Sequence, residues 1–173
     1  MAFSGAFVKP FRPAFDAGLA AGKTQQPYLL NFANYIVSSG ARSCGRDFQV
    51  AIAAEIIGAR LKSYRAETTG ISIRLWRTDT QAEVASKTGV TLAAGENIIT
   101  FATAVPLLAT LTYRLSAHIA STYYMYYASA SDHPDGPVTI LTSNSFMYSA
   151  SADAYPATTI PGWGYPIEPT ILA

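Results

Sequence analysis

His118 and His133 are the only histidines in this chain, so base chemistry by imidazole has two places to happen. Ser131, Asp132 and His133 supply the three groups that acyl transfer uses: a hydroxyl nucleophile, a base, and a carboxylate to orient the base. They are adjacent, and adjacent side chains in a strand or turn point in different directions, so this stretch does not assemble a triad by itself. His118 follows Arg114 and Ser116 at a spacing of two and is expected on the polar face of one strand. Asp132 and Asp135 flank a Gly-Pro turn and could offer oxygens to calcium. Calcium takes roughly six to eight oxygens, so backbone carbonyls would have to supply most of them, and Asp and Gly suit a turn without any metal. Zinc is weaker still, with one cysteine and two distant histidines. Cys44 is either a nucleophile or a small, half-buried residue at a strand start. Gly18 to Gly22, followed by Lys23 and Thr24, is one residue short of phosphate-loop spacing and follows no strand. The expectation is no catalytic residue, no metal and no cofactor.

Aromatic residues are the better functional candidates. Trp76 falls on the outward register of its strand, where it either packs under the C-terminal tail or stands open to a ligand. Tyr123, Tyr124, Tyr126 and Tyr127 must divide between two faces of one strand. Trp163 and Tyr165 stand among Gly and Pro, a context expected to bury little. Exposed Trp and Tyr can anchor a protein interface or stack on a sugar ring. The interface is the first expectation and the glycan contact the second.

Strands must position these groups. Ile71, Ile73 and Leu75 alternate with Ser72, Arg74 and Trp76. Leu111, Tyr113, Leu115, Ala117 and Ile119 alternate with Thr112, Arg114, Ser116 and His118. Period two sends the apolar sets inward and the polar sets outward. Leu92 to Asn97 reads as a turn, Pro106 as a strand end, and Tyr123–Tyr127 as an aromatic strand. Asp132–Pro137 reads as a long turn, with short strands at Val138–Leu141 and Phe146–Ser149. Tyr28–Val37 fits a strand or a short helix. Asp47–Arg65 fits a helix by composition, and a strand entering a turn at Glu67–Gly70 by pattern.

The ends differ from the middle. Phe3, Phe7, Phe11 and Phe15 recur every four residues, but Pro10 and Pro13 interrupt a helix there. Met1–Pro27 is therefore expected to be an extended arm whose aromatics need covering, by its own sandwich or by a neighbouring subunit. Residues 156–173 carry four prolines and are expected to lie flat on the sandwich or a partner. The division is an arm and first strand at 1–45, a sandwich at 46–155 and a Pro-rich tail at 156–173.

Hydrophobic residues make up 50% of the chain and charged residues 13%. The usual charged share is about 25%, so a largely neutral surface is implied, which suits cover by a partner. A net charge of +1, with Lys and Arg scattered, gives no electrostatic case for nucleic acid or an anionic membrane. One cysteine excludes an intrachain disulfide. No cationic segment followed by an apolar run opens the sequence, so secretion by a signal peptide is not expected.

Phe48-Gln-Val50, Ile57-Gly-Ala-Arg-Leu61, Ile73-Arg-Leu-Trp76, Val84-Ala-Ser86, Asn97–Phe101, Val105-Pro-Leu107 and Leu111-Thr-Tyr113-Arg-Leu115 together resemble a β-sandwich family. That family is a domain of unknown function in bacterial secreted and carbohydrate-associated proteins. Tyr126-Tyr-Ala128, Gly136-Pro-Val138 and Tyr155-Pro156 are similar to its later landmarks. Ala94-Gly95 and Tyr113 stand too far apart to form one copy of its Leu-x-Ala-Gly-x-x-Tyr motif. The resemblance spans roughly residues 47–160 and implies a fold and a surface-associated setting, with no catalytic residues. The missing signal peptide and the Phe/Pro arm look instead like a tailed-bacteriophage virion protein made in the host cytoplasm. The expected fold is an all-β antiparallel sandwich, jelly-roll-like, with an extended N-terminal arm. The expected role is a non-enzymatic decoration or fibre subunit. Its expected partners are other virion proteins and further copies of itself, a trimer among the options. The alternative is a carbohydrate-binding module for a bacterial surface glycan.

Overall fold

In the computed structural model, residues 24–25, 34–38, 40–120, 123–127, 133–135, 138–147, 151–158, 165 and 167–172 are described. The described residues form strands and turns, with no helix among them. The strands are β1 (Thr24–Gln25), β2 (Asn34–Ser38), β3 (Arg42–Val50), β4 (Ala54–Ser63), β5 (Glu67–Arg77) and β6 (Glu83–Leu92). They continue as β7 (Gly95–Leu107), β8 (Thr112–Ile119), β9 (Tyr123–Tyr127), β10 (His133–Asp135), β11 (Val138–Met147) and β12 (Ile167–Leu172).

All pairings are antiparallel, and they build two sheets. The first runs β1-β12-β4-β9-β2, with β7 also on β4; the second runs β10-β11-β3-β8-β5-β6. β4 is flanked by β12 on one side and β7 on the other over most of its length. The apolar sets expected to face inward do so. Ile71, Ile73, Leu75, Tyr113, Leu115, Ala117 and Ile119 join Phe48, Ile56, Leu61, Ile167 and Ile171 in one core. Burying a Leu or Ile side chain stabilises by about 1.5–3 kcal/mol, so this layer holds the sheets together. Phe48 stacks on its cross-strand neighbour Tyr113 at 5.8 Å. The Tyr113 hydroxyl accepts a 2.9 Å bond from the Leu108 amide, which ties the β7–β8 turn to the core.

Several local expectations are corrected. Of the two readings left open for 47–65 the strand holds, as two strands: β3 ends at Val50 and β4 begins at Ala54. Glu67–Gly70 is not a turn but the start of β5, where Gly70 sits at φ +61° beside a register shift against β6. The β-region pattern wins because a bulge absorbs the glycine without ending the strand. His133–Asp135, expected inside a long turn, forms a short strand on β11. Val138–Met147 is one strand, with its register against β3 shifted between Leu141 and Phe146. Cys44 is fully buried, not half-buried. Within the C-terminal segment, Ile167–Leu172 forms a strand on β4, an element not expected there. Pro169 pairs with Ala59 there, and among the described residues β1 reaches only the Leu172 end of the other side of β12.

One charged pair lies deep. Arg46, between Cys44 and Phe48 on the inward face of β3, is 2% exposed, and its Nη1 stands 3.8 Å from Glu168 of β12. Burial lowers the Arg46 pKa to about 10, while the Glu168 charge works in the other direction.

Candidate functional site

Polar side chains on the outward face of the second sheet fall into three cross-strand rows, fixed by register. One row is Ser43, His118, Ser72 and Thr88; the next is Gly45, Ser116, Arg74 and Ser86; the third is Asp47, Arg114, Trp76 and Glu83. Alternation predicts these positions as outward and therefore wet. Across β3, β8 and β5 they are buried: Ser43, Asp47, Ser72, Arg74, Trp76, Arg114, Ser116 and His118. The residues 151–156 lie over them as a strap.

The strap is held by charge, hydrogen bonds and aromatic faces. Asp153 accepts a 2.5 Å bond from Arg74, whose other arm meets Glu83. The Pro156 carbonyl accepts from Arg114 Nη1. The Tyr155 ring meets Trp76 edge to face at 5.8 Å and lies 4.7 Å from the Arg114 guanidinium carbon. Trp76 donates from Nε1 to Ser116 Oγ at 3.0 Å. Trp76 is thus closed rather than open to a ligand, but its cover is Tyr155 of the strap and not the expected 156–173 tail.

Arg114 and Asp47 form the centre. Arg114 Nε and Nη2 donate to the two Asp47 oxygens at 2.7 and 2.9 Å. This is a bidentate pair, the strongest geometry a guanidinium offers a carboxylate. Burial nevertheless raises the Asp47 pKa, and the Arg114 hydrogen bonds and charge offset that only in part. Burial likewise raises the Tyr155 pKa, against the pull of Arg114.

His118 Nδ1 lies 2.9 Å from Ser43 Oγ. Burial lowers the His118 pKa first, the Arg74 charge adds to that, and Asp153 opposes it. The ring is therefore neutral near pH 7, and in its Nε2–H tautomer Nδ1 accepts from the Ser43 hydroxyl. A hydroxyl against an imidazole is the first half of a nucleophile–base set. Here the hydroxyl is buried, and the carboxylate whose charge acts on His118, Asp153, is bonded to Arg74. As placed, the pair links two strands beneath the strap.

Sequence reasoning placed His118 beside Arg114 and Ser116 correctly. It missed Ser43 and Asp153, since the Ser43–His118 pairing spans 75 residues and depends on register. Tyr165, expected to be exposed, is fully buried in the core, and burial raises its pKa well above the usual tyrosine value, with a smaller contribution from Cys44. Its Gly/Pro context proved no bar to burial because the adjoining strand carries it inward. Tyr123, Tyr124, Tyr126 and Tyr127 lie on β9, paired with β2; their side chains are outside the described residues. The same holds for the side chains of His133 and Asp135 on β10. Phe3, Phe7, Phe11, Phe15, Ser131, Asp132 and Trp163 lie outside the described residues altogether. Among the described residues, no three His, Cys, Asp or Glu side chains group as metal ligands. No model of a known protein family matches the chain, and no curated protein matches it.

Proposed function

We propose that the protein is a non-enzymatic structural subunit of a tailed-bacteriophage particle, a decoration or fibre protein that docks through its N-terminal arm and displays this sandwich. The observation that carries this reading is the polar face under the strap. Ser43 with His118, Asp47 with Arg114, and Arg74 with Glu83 and Asp153 are bonded to one another or to residues 153–156, while the buried Ser72 Oγ makes no hydrogen bond. A 13% charged share agrees, because a neutral surface suits lateral packing. The glycan-binding alternative needs open aromatic rings: Trp76 and Tyr165 are closed, Tyr64 is open, and Tyr123, Tyr124, Tyr126, Tyr127 and Trp163 have side chains outside the described residues. The test replaces Phe3, Phe7, Phe11 and Phe15 with Ser in the full chain. Incorporation into particles is expected to fall to background while the melting temperature stays unchanged. Undiminished incorporation would overturn the proposal.

A further inference from the structure

The arm-docking reading leaves open what receives the arm, and the free strand edges supply an answer. An unpaired strand edge is a ready template for another chain unless it is short, charged, bulged or capped by proline. Among the described residues, β1, β2 and β10 are too short to offer much, at 2, 5 and 3 residues. β6 has 10 residues, but it carries Glu83 and Lys87 and its pairing with β5 is broken by repeated register shifts. β7 differs. From Gly95 to Thr100 it runs in unbroken register along β4, and among the described residues no strand pairs its other side. The only charge in that stretch, Glu96, is held by Arg60. The further half of β7 is guarded, by the shift after Thr100 and by Pro106.

Exposed apolar side chains lie along the same strand, Ile98 within the Gly95–Thr100 stretch and the others at its two ends. Ile98, on β7, is 61% exposed. Leu108 follows β7, Ile52 precedes the Ala54 that pairs with Leu107, and Tyr64 follows the Ser63 that pairs with Gly95. Of the exposed large hydrophobics among the described residues, only Val84 lies away from this strip.

We propose that Gly95–Thr100 is the acceptor edge for residues 3–9 of a neighbouring copy, which add to the sheet as one further strand. This rests on the arm-docking reading above. The occupant is argued from three facts. First, 14 residues separate residue 9 from β1 at Thr24, a reach of about 45–50 Å when extended. Second, β1 enters the same sheet beside β12, on the side of β4 opposite β7, so one copy offers an arm at one edge and an acceptor at the other. Such a head-to-tail contact closes into a ring or grows into a filament. Third, Phe3, Phe7, Phe11 and Phe15 are all odd-numbered, so an extended strand sets them on one face, and residues 3–9 precede Pro10 with every amide donor intact.

The test is amide hydrogen exchange of the full chain, concentrated and dilute, beside the full-length Phe3→Ser, Phe7→Ser double variant. Concentration should slow exchange across residues 95–100 by about tenfold or more, as the edge amides gain partners. The variant should lose both assembly and that protection. If the variant loses assembly but residues 95–100 exchange alike in both states, the arm docks elsewhere and this acceptor is wrong. If the variant assembles as well as the parent, the arm-docking reading itself falls. Absence of any assembly or protection overturns the acceptor too.

Discussion

At the scale of single residues, Asp47 and Arg114 make the sharpest case. Two charges taken out of water cost several kcal/mol each, and their attraction returns that only with good geometry. The bidentate contact supplies the geometry, and the raised Asp47 pKa shows that burial still outweighs it. Removing one partner therefore leaves the other charge stranded. Asp47→Ala is expected to destabilise by about 3–5 kcal/mol in urea unfolding, and the double change Asp47→Leu with Arg114→Met by far less. Equal loss in both would show that the pair matters for its shape alone. His118 predicts a pH effect of definite sign. Its folded pKa lies below the ordinary value near 6.5, so the unfolded chain binds the proton more readily. Stability contributed by neutral His118 is present above the unfolded pKa and is lost as pH falls through and below it. Unfolding at pH 7 and pH 5 should show a smaller acid loss for His118→Gln than for the parent. The raised Asp47 pKa acts the other way, favouring the fold as pH falls through it, so the His118 contribution is read from the difference between variants.

At the scale of elements, Gly58 shows how one residue shapes a sheet. A Cβ placed there would stand 2.0 Å from the Ile99 carbonyl oxygen. At the same point the register of β4 slips against both β7 and β12. Gly58→Ala must push β7 backbone aside and is expected to cost about 3 kcal/mol, with faster amide exchange in β7 as the second readout. An unchanged melting temperature would show that β7 yields freely. These elements also show what the sequence could tell. The alternation in β5 and β8 was legible, because each strand puts an unbroken apolar row on one face. The turn between β6 and β7 was legible too, with Asn97 bonding back to Ala93 and Gly95 at φ +94°. β12 was not, because Pro169 argues locally against a strand and the pairing with β4 that holds it there is set by residues more than 100 positions upstream. The polar rows were read as exposed because alternation reports which face a residue takes, and the strap that covers that face lies more than 30 residues downstream of His118.

At the scale of the whole molecule, β5 and β8 of the second sheet have the core on one face and residues 151–156 against the other. Among the described residues, the exposed large apolar side chains other than Val84 lie on β7 or beside its two ends. Exposed apolar surface gathered at one edge fits a subunit whose neighbours complete it. That makes assembly the central claim, and electron microscopy of the concentrated full-length protein, and of any particles into which it assembles, tests it most directly. The account predicts density for the sandwich in a repeating array, the β7 edge of each copy against its neighbour. A sandwich found only as an isolated monomer, with the β7 edge open to solvent and no particle containing it, would contradict the account.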